Sequence, residues 1–292
     1  MDTNTFTLSS GRVVGVTEFG DRSSSSVVVL AHPAPGSSAF DPNPIATAAH
    51  GVRVIAVDRQ GYGLSELDGD HAPTVAGAAD DIAEYLASQN ITSVTAAGWS
   101  AGGRVALALA AAHPALVDRV AVIATPAPDV DVPWVGDDNR AMVESFRSVS
   151  PSEAIVALTG MLDEFMGAEP TPESLIANVA TADVDDAIVA EAHDRLTIML
   201  ELSAMQGNLG TAADIISYTL LDWGFEPLDV SADVFLFYGQ KDPNIGAAHA
   251  AWYADQIASA EVEIVVDVGH LLVVPAWDQV LTHLVVAPKI AN

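Results

Sequence analysis

Five residues, Gly98-Trp99-Ser100-Ala101-Gly102, stand between an uncharged run at 91–97 and a small-residue run at 101–112. The first run holds β-branched Ile91, Thr92, Val94 and Thr95 and reads as a buried strand. The second carries Val105, Leu107 and Leu109 among alanines until His113-Pro114 stops it, and reads as a helix. A serine on so tight a strand-to-helix turn is driven into a strained backbone conformation that lifts its hydroxyl above the sheet. Side chains at 98 and 102 would collide across the turn, which is why glycine stands at both. The Ala101 N–H opens the helix, where the helix dipole favours a developing negative charge.

The rest of the chain can be read around that turn. Residues 5–8 and 12–17 alternate apolar with polar about Ser10-Gly11 and predict an opening antiparallel hairpin. Residues 27–31 are continuously apolar, a central strand that empties into His32-Pro33-Ala34-Pro35-Gly36-Ser37. A strand at 52–57 ends at Asp58-Arg59-Gln60-Gly61-Tyr62-Gly63-Leu64-Ser65, read as a structural turn whose glycines serve backbone shape. A helix at 76–88 and a strand at 117–124 continue the alternation, which predicts a mostly parallel sheet with helices on both faces. From 129 to 223 the period is helical, with helices expected near 138–147, 151–166, 171–179, 183–206 and 211–221. Pro151, Pro170 and Pro172 suit helix first turns. Strand 233–238, helix 245–258, strand 262–266 and helix 276–286 close the chain.

Composition narrows the function classes. Eleven Lys+Arg against 39 Asp+Glu give a net charge of −28, which argues against nucleic acid and anionic membrane partners. Lys241 and Lys289 are the sole lysines, a depletion that fits either a salt-rich habitat or an arginine-favouring lineage. Mean hydropathy is +0.31 with no uninterrupted apolar run of membrane length, and residues 1–4 carry no basic start to a leader, so a cytoplasmic protein is expected. The absence of cysteine excludes disulfides, thiol catalysis and cysteine-ligated metal. No His-Glu-x-x-His spacing occurs, and residues 98–103 lack the lysine of a phosphate-binding loop. No metal or other cofactor is implied. The expected partner is a small-molecule substrate, and a homodimer stays open as an assembly.

At Gly98–Gly102 the chain resembles the α/β-hydrolase family, and the resemblance extends over nearly its whole length. It implies a core at 1–128 and 226–292 with a helical cap at 129–225. It also implies that Ser100 is a nucleophile, since dehalogenases and epoxide hydrolases of that fold carry aspartate at this place. The family's acid follows a late strand and its histidine the last one. Asp242, after Phe235-Leu236-Phe237-Tyr238-Gly239, stands in the acid's position. Its alternative role is to cap the next helix, and Asp129 or Asp131 is a second choice of acid. Gly269-His270, at the exit of the last strand, matches the family's base. His113, His193, His249 and His283 lie in or at helices, His50 and His71 in polar connections, and His32 reads as shaping its loop. The stretch His32–Gly36 resembles the family's His-Gly-x-Pro-Gly loop with Pro33 in place of glycine. Ala34 and Ala101 are therefore the expected oxyanion donors.

Five of the six methionines lie in the expected cap. Most read as packing, but Met161, Met199, Phe165 and Trp134, with Trp99 beside the serine, are candidate pocket residues. The function expected from these features is a cofactor-free, carboxylesterase-like serine hydrolase acting on a small-to-medium apolar ester or lactone. The same triad also serves amide cleavage, C–C bond hydrolysis and perhydrolysis. An aminopeptidase would need a cap carboxylate such as Glu144, Glu153, Asp163 or Glu164. A non-catalytic ligand-binding protein on this fold is the alternative from a different class.

Overall fold

A computed structural model describes residues 3–69 and 71–285. Its centre is an eight-stranded sheet in the order β1-β2-β4-β3-β5-β6-β7-β8. The strands are β1 (Thr3–Thr7), β2 (Val13–Gly20), β3 (Val27–Ala31), β4 (Arg53–Val57), β5 (Val94–Trp99), β6 (Val117–Ile123), β7 (Asp233–Gly239) and β8 (Ala260–Val265). β2 pairs antiparallel with β1 and β4, and every pairing from β4 to β8 is parallel. The sheet thus opens on the expected hairpin and continues as the expected parallel core.

Both faces of the central strands are buried because successive side chains point to opposite sides and nearly all are apolar there. Val29, Ala96, Val122 and Leu236 belong to one core, covered by α2 (Val75–Ser88), α3 (Ala101–Ala112) and α9 (Ala247–Gln256). Val28, Ala97, Ile123 and Phe237 belong to the other, beneath α1 (Pro44–His50) and α10 (Trp277–Leu284). The valine, leucine, isoleucine and phenylalanine side chains among these contribute about 1.5–3 kcal/mol each when fully buried. The two helices of the second face are joined where the Trp277 indole N–H donates to Thr47 Oγ1 at 3.0 Å.

Helix α1 has no counterpart in the sequence-based expectation. At seven residues it is too short to show a period, and its signals are local. Asn43 accepts from the N–H groups of Ile45 and Ala46, Pro44 takes the first turn, and Gly51 ends it at φ 61°.

Between β6 and β7 the described residues form helices and no strand: α4 (Asp137–Ser145), α5 (Pro151–Met166), α6 (Pro172–Val179), α7 (Asp186–Ser203) and α8 (Leu209–Thr219). The helix expected at 183–206 is divided into 3-10 turns at 183–185 and 204–206 with α7 between them, and it stops at Gly207, where φ is +63°. Ser150 and Glu153 form a capping box on α5, and Pro151 and Pro172 occupy first turns. Pro170 instead precedes α6 and is buried. The closing helix ends at Leu284, and the last residue expected of it, 286, lies outside the described residues. No helix among the described residues is long and apolar enough to cross a membrane.

Trp277 is fully buried, so Trp277→Ala should lower unfolding free energy by about 3–5 kcal/mol, measured by urea denaturation.

Candidate active site

Ser100 sits between the end of β5 and the start of α3 with φ 55° and ψ −122°, a conformation that costs a non-glycine residue on the order of 1–3 kcal/mol. Neighbouring structure holds it there. Its N–H donates to the Ile123 carbonyl at 2.8 Å, and its own carbonyl accepts from the Gly103 N–H at 3.1 Å. A Cβ at Gly98 would stand 2.2 Å from the Gly102 oxygen, and one at Gly102 only 2.1 Å from the Ala31 oxygen. The glycines therefore let α3 start directly against the ends of β5 and β3.

Asp242 follows β7 and His270 follows β8, so parallel pairing of the two strands carries both to one end of the sheet. His270 Nδ1 and Asp242 Oδ2 are 2.7 Å apart. The other carboxylate oxygen, Oδ1, accepts from the N–H groups of Asn244 and Ile245 at 3.0 and 2.9 Å. Asp242 thus shapes its own loop and holds the imidazole at once. Burial alone would raise its pKa, but the His270 hydrogen bond and charge, with those two N–H groups, hold the carboxyl below its usual range. With Nδ1–H directed at the carboxylate, His270 Nε2 is left as the basic atom.

Neither the Ser100 hydroxyl nor His270 Nε2 is hydrogen-bonded to another protein group among the described residues. The two residues are joined through Trp99, whose indole N–H donates to the His270 carbonyl at 3.0 Å. Its ring lies 6.0 Å from the imidazole and 5.8 Å from Phe40. Asp129 instead pairs with Arg140 and caps residues 134 and 135, while Asp131 accepts from the Trp252 indole. His249 is buried, and burial lowers its pKa. It accepts the Ala127 N–H at Nδ1, and Nε2 then donates to the Asn244 carbonyl, bracing the Asp242 loop.

The loop after β3 is ordered by His32, in the loop-shaping role expected of it, and by Arg59, which the sequence did not single out. His32 Nε2 accepts the Arg59 N–H at 3.0 Å, so the ring proton is on Nδ1 and reaches the Pro33 carbonyl at 2.8 Å. The Arg59 guanidinium donates to the carbonyls of His32 at 2.6 Å and Pro33 at 2.9 Å. Because a trans peptide directs its C=O and N–H oppositely, these bonds to the Pro33 oxygen also set the direction of the Ala34 N–H. Ala34 is half-buried and Ala101 buried at the first position of α3. Arg59 is in turn paired with Asp214 of α8 at 2.6 Å. The Asp58–Ser65 stretch is therefore more than a turn, although its glycines do serve shape. At Gly63, where φ is +51°, a Cβ would fall 2.3 Å from Asp58 Oδ2.

The expected pocket residues separate. Trp99 is 1 % exposed and helps line a cavity of about 10 Å³ with His32, Pro33, Ser37 and Phe40. A second cavity of about 20 Å³ lies against Ala101, bounded by Thr74, Val105, Ser217 and Tyr218. Met199 is fully buried in the second sheet core, and Trp134 packs half-buried against the first. Met161 and Phe165 are 46 % and 87 % exposed and line neither of these cavities. Both lie on the exposed side of α5, whose Ala154, Leu158 and Leu162 pack with α8.

A mostly parallel sheet with a strained serine between β5 and α3, and an Asp–His pair beyond β7 and β8, defines an α/β-hydrolase fold. The model of the alpha/beta hydrolase family matches residues 28–282, and the chain belongs to that family. It is similar to the pimeloyl-[acyl-carrier protein] methyl ester esterase of Aromatoleum aromaticum, 28 % identical over 75 % of this chain and 81 % of that one. Among solved structures, an esterase from Exiguobacterium antarcticum superposes with a TM-score of 0.67 at 20 % identity, covering 96 % and 97 % of the two chains. The enol-lactonase of Burkholderia xenovorans LB400 gives 0.66 at 18 % identity, over 95 % and 96 %.

Folding changes the proton affinity of two site carboxyls in opposite senses. Burial lifts Asp58 from 3.8 to about 6, so the folded protein binds its proton more tightly and this group's stabilisation is lost as pH rises through that window. Asp242, held low, stabilises the fold above 3.8 and loses that contribution on acidification. Urea denaturation between pH 3 and 7 should show Asp58→Asn lacking the decline between about pH 4 and 6.

Proposed function

We propose that this protein is a cofactor-free serine hydrolase that cleaves small-to-medium apolar carboxylic esters or lactones, with Ser100, His270 and Asp242 as its triad and the 129–225 segment as its cap. The observation that carries the reading is the 2.7 Å His270–Asp242 pair, which orients an imidazole at the same sheet end as a serine held in a strained turn. The activities of the similar proteins, a methyl ester esterase, an esterase and an enol-lactonase, support the bond class.

In this reading His270 Nε2 takes the hydroxyl proton as Ser100 Oγ adds to the carbonyl carbon. The oxyanion forms against the N–H groups of Ala34 and Ala101, and α3 adds the positive end of its dipole. Asp242 keeps the ring oriented and stabilises the imidazolium. The tetrahedral adduct collapses as His270 gives its proton to the departing alkoxide, which leaves an acyl-Ser100. Water then adds to that ester with His270 again as base, and the proton returns to Ser100 as the acid departs. The aminopeptidase alternative loses ground because three of its four candidate cap carboxylates are engaged elsewhere and the fourth, Glu164, is exposed to solvent. Glu144 pairs with Arg147, Glu153 closes the capping box, and Asp163 accepts from Asn208.

Hydrolysis of 4-nitrophenyl esters from acetate to decanoate tests the proposal. The intact protein should turn over the shorter esters and label with a fluorophosphonate, and Ser100→Ala should lose at least about 10³-fold in kcat and all labelling. Folded protein that is inert to every ester and to the label would overturn the esterase reading in favour of a ligand-binding role.

A further inference from the structure

Two carboxylates of the helical insertion are buried, and each is bonded to a different half of the candidate machinery. Asp214 of α8 receives the Arg59 guanidinium through Nε at 3.0 Å and Nη2 at 2.6 Å. The same guanidinium holds the His32 and Pro33 carbonyls, and through them the peptide that presents the Ala34 N–H. Asp185, fully buried in the 3-10 turn before α7, accepts the Gly269 N–H at 2.9 Å. Its second oxygen lies 3.5 Å from the Leu271 nitrogen. The two contacts bracket His270 on its own backbone.

The approach at Asp185 depends on a missing side chain. A Cβ at Gly269 would lie 2.4 Å from Asp185 Oδ2 and 2.8 Å from the Ala182 Cβ. The glycine before His270 therefore admits the insertion against the loop. The two contacts reach the core separately, from segments on either side of α7.

Resting on the hydrolase reading above, we propose that the insertion is a working part of the catalytic apparatus. Asp214 and Asp185 are positioning residues: the first aims an oxyanion donor through Arg59, and the second sets the loop that carries the base. An insertion displaced from the sheet end releases both at once, so a hydrolase built this way is active only with its insertion seated.

The test compares Asp214→Asn, Asp185→Asn and Arg59→Lys with the intact protein, using 4-nitrophenyl acetate. Rates are expressed per active site labelled to completion by a fluorophosphonate. Each variant is expected to lose at least about ten-fold in kcat with KM within about three-fold, since transition-state contacts are affected more than ground-state binding. Affinity for benzeneboronic acid, which forms a tetrahedral anion on serine, should fall in parallel with kcat. Glu173→Gln, exposed in the first turn of α6, should leave kcat unchanged. If an asparagine variant fails to fold, Asp214→Glu and Asp185→Glu keep the charge while moving the bonded groups, and should show the same loss. Folded variants with the intact kcat per labelled site overturn the proposal, as does a loss confined to the amount of labelled protein. Intact protein that neither labels nor turns over sinks the hydrolase reading and this proposal with it, an outcome visible before any variant is made.

Discussion

The closest constraint in the molecule is the seating of α3 on the ends of β3 and β5, where backbone meets backbone with no side chain between. Hypothetical Cβ atoms at Gly98 and Gly102 would lie 2.2 and 2.1 Å from the backbone oxygens of Gly102 and Ala31. Substitution at either would push the helix off the sheet, and with it the serine and the N–H groups of the first turn. Side-chain packing can relax by rotamer changes, but backbone contact at these distances cannot. The surrounding architecture conforms to this spot. β3 and β6 flank β5 in parallel and supply the carbonyls against which the turn closes.

A second theme is how a strongly acidic chain uses its few cations. Arg59, Arg104 and Arg53 are largely withdrawn from solvent and tied to backbone oxygens, carboxylates or rings. The Arg104 guanidinium donates to the Pro126 carbonyl and lies 4.6 Å from the Tyr218 ring centre and 5.1 Å from that of Trp223. Arg53 is held by both oxygens of Glu18 at 2.9 Å. A guanidinium can donate in several directions at once, which suits it to connecting loops that share no ladder. Lysine, nearly absent from this chain, lacks that planar fork. These three arginines make interior connections, while Arg22, Arg147 and Lys241 stand exposed among the carboxylates of the surface.

What could be read from the sequence follows the range of the forces involved. The strands were legible because burial on both faces demands unbroken apolar runs, and the nucleophile turn because its glycines lie within four residues of each other. Asp242 and His270 stood out because each leaves a strand through a glycine. α1 escaped because its cap and first-turn proline are visible only when a very short helix is sought. The helices at 183–206 were merged because the 3-10 turns preserve an approximate helical period. Arg59, Asp214 and Asp185 could not be read at all. Their partners lie 155 residues away in one case and 84 in the other, and no local pattern records such pairings. Met161 and Phe165 show a related limit: apolar spacing marks a helix face but does not fix how much of it is covered, and here both are exposed.

The interruption between β6 and β7 has a consequence for how the chain is made. β7 hydrogen-bonds directly to β6, yet the whole set of helices α4–α8 must be synthesised between the two strands. Closing so long a loop costs little at equilibrium, because the entropy grows only with the logarithm of length. On the ribosome the delay is one of time. At ordinary elongation rates β6 waits on the order of 5–20 s for its neighbour. During that interval a central strand, apolar on both faces, presents an open edge. The nascent chain is then exposed to misassociation at a strand whose residues 120–123 the finished molecule buries completely.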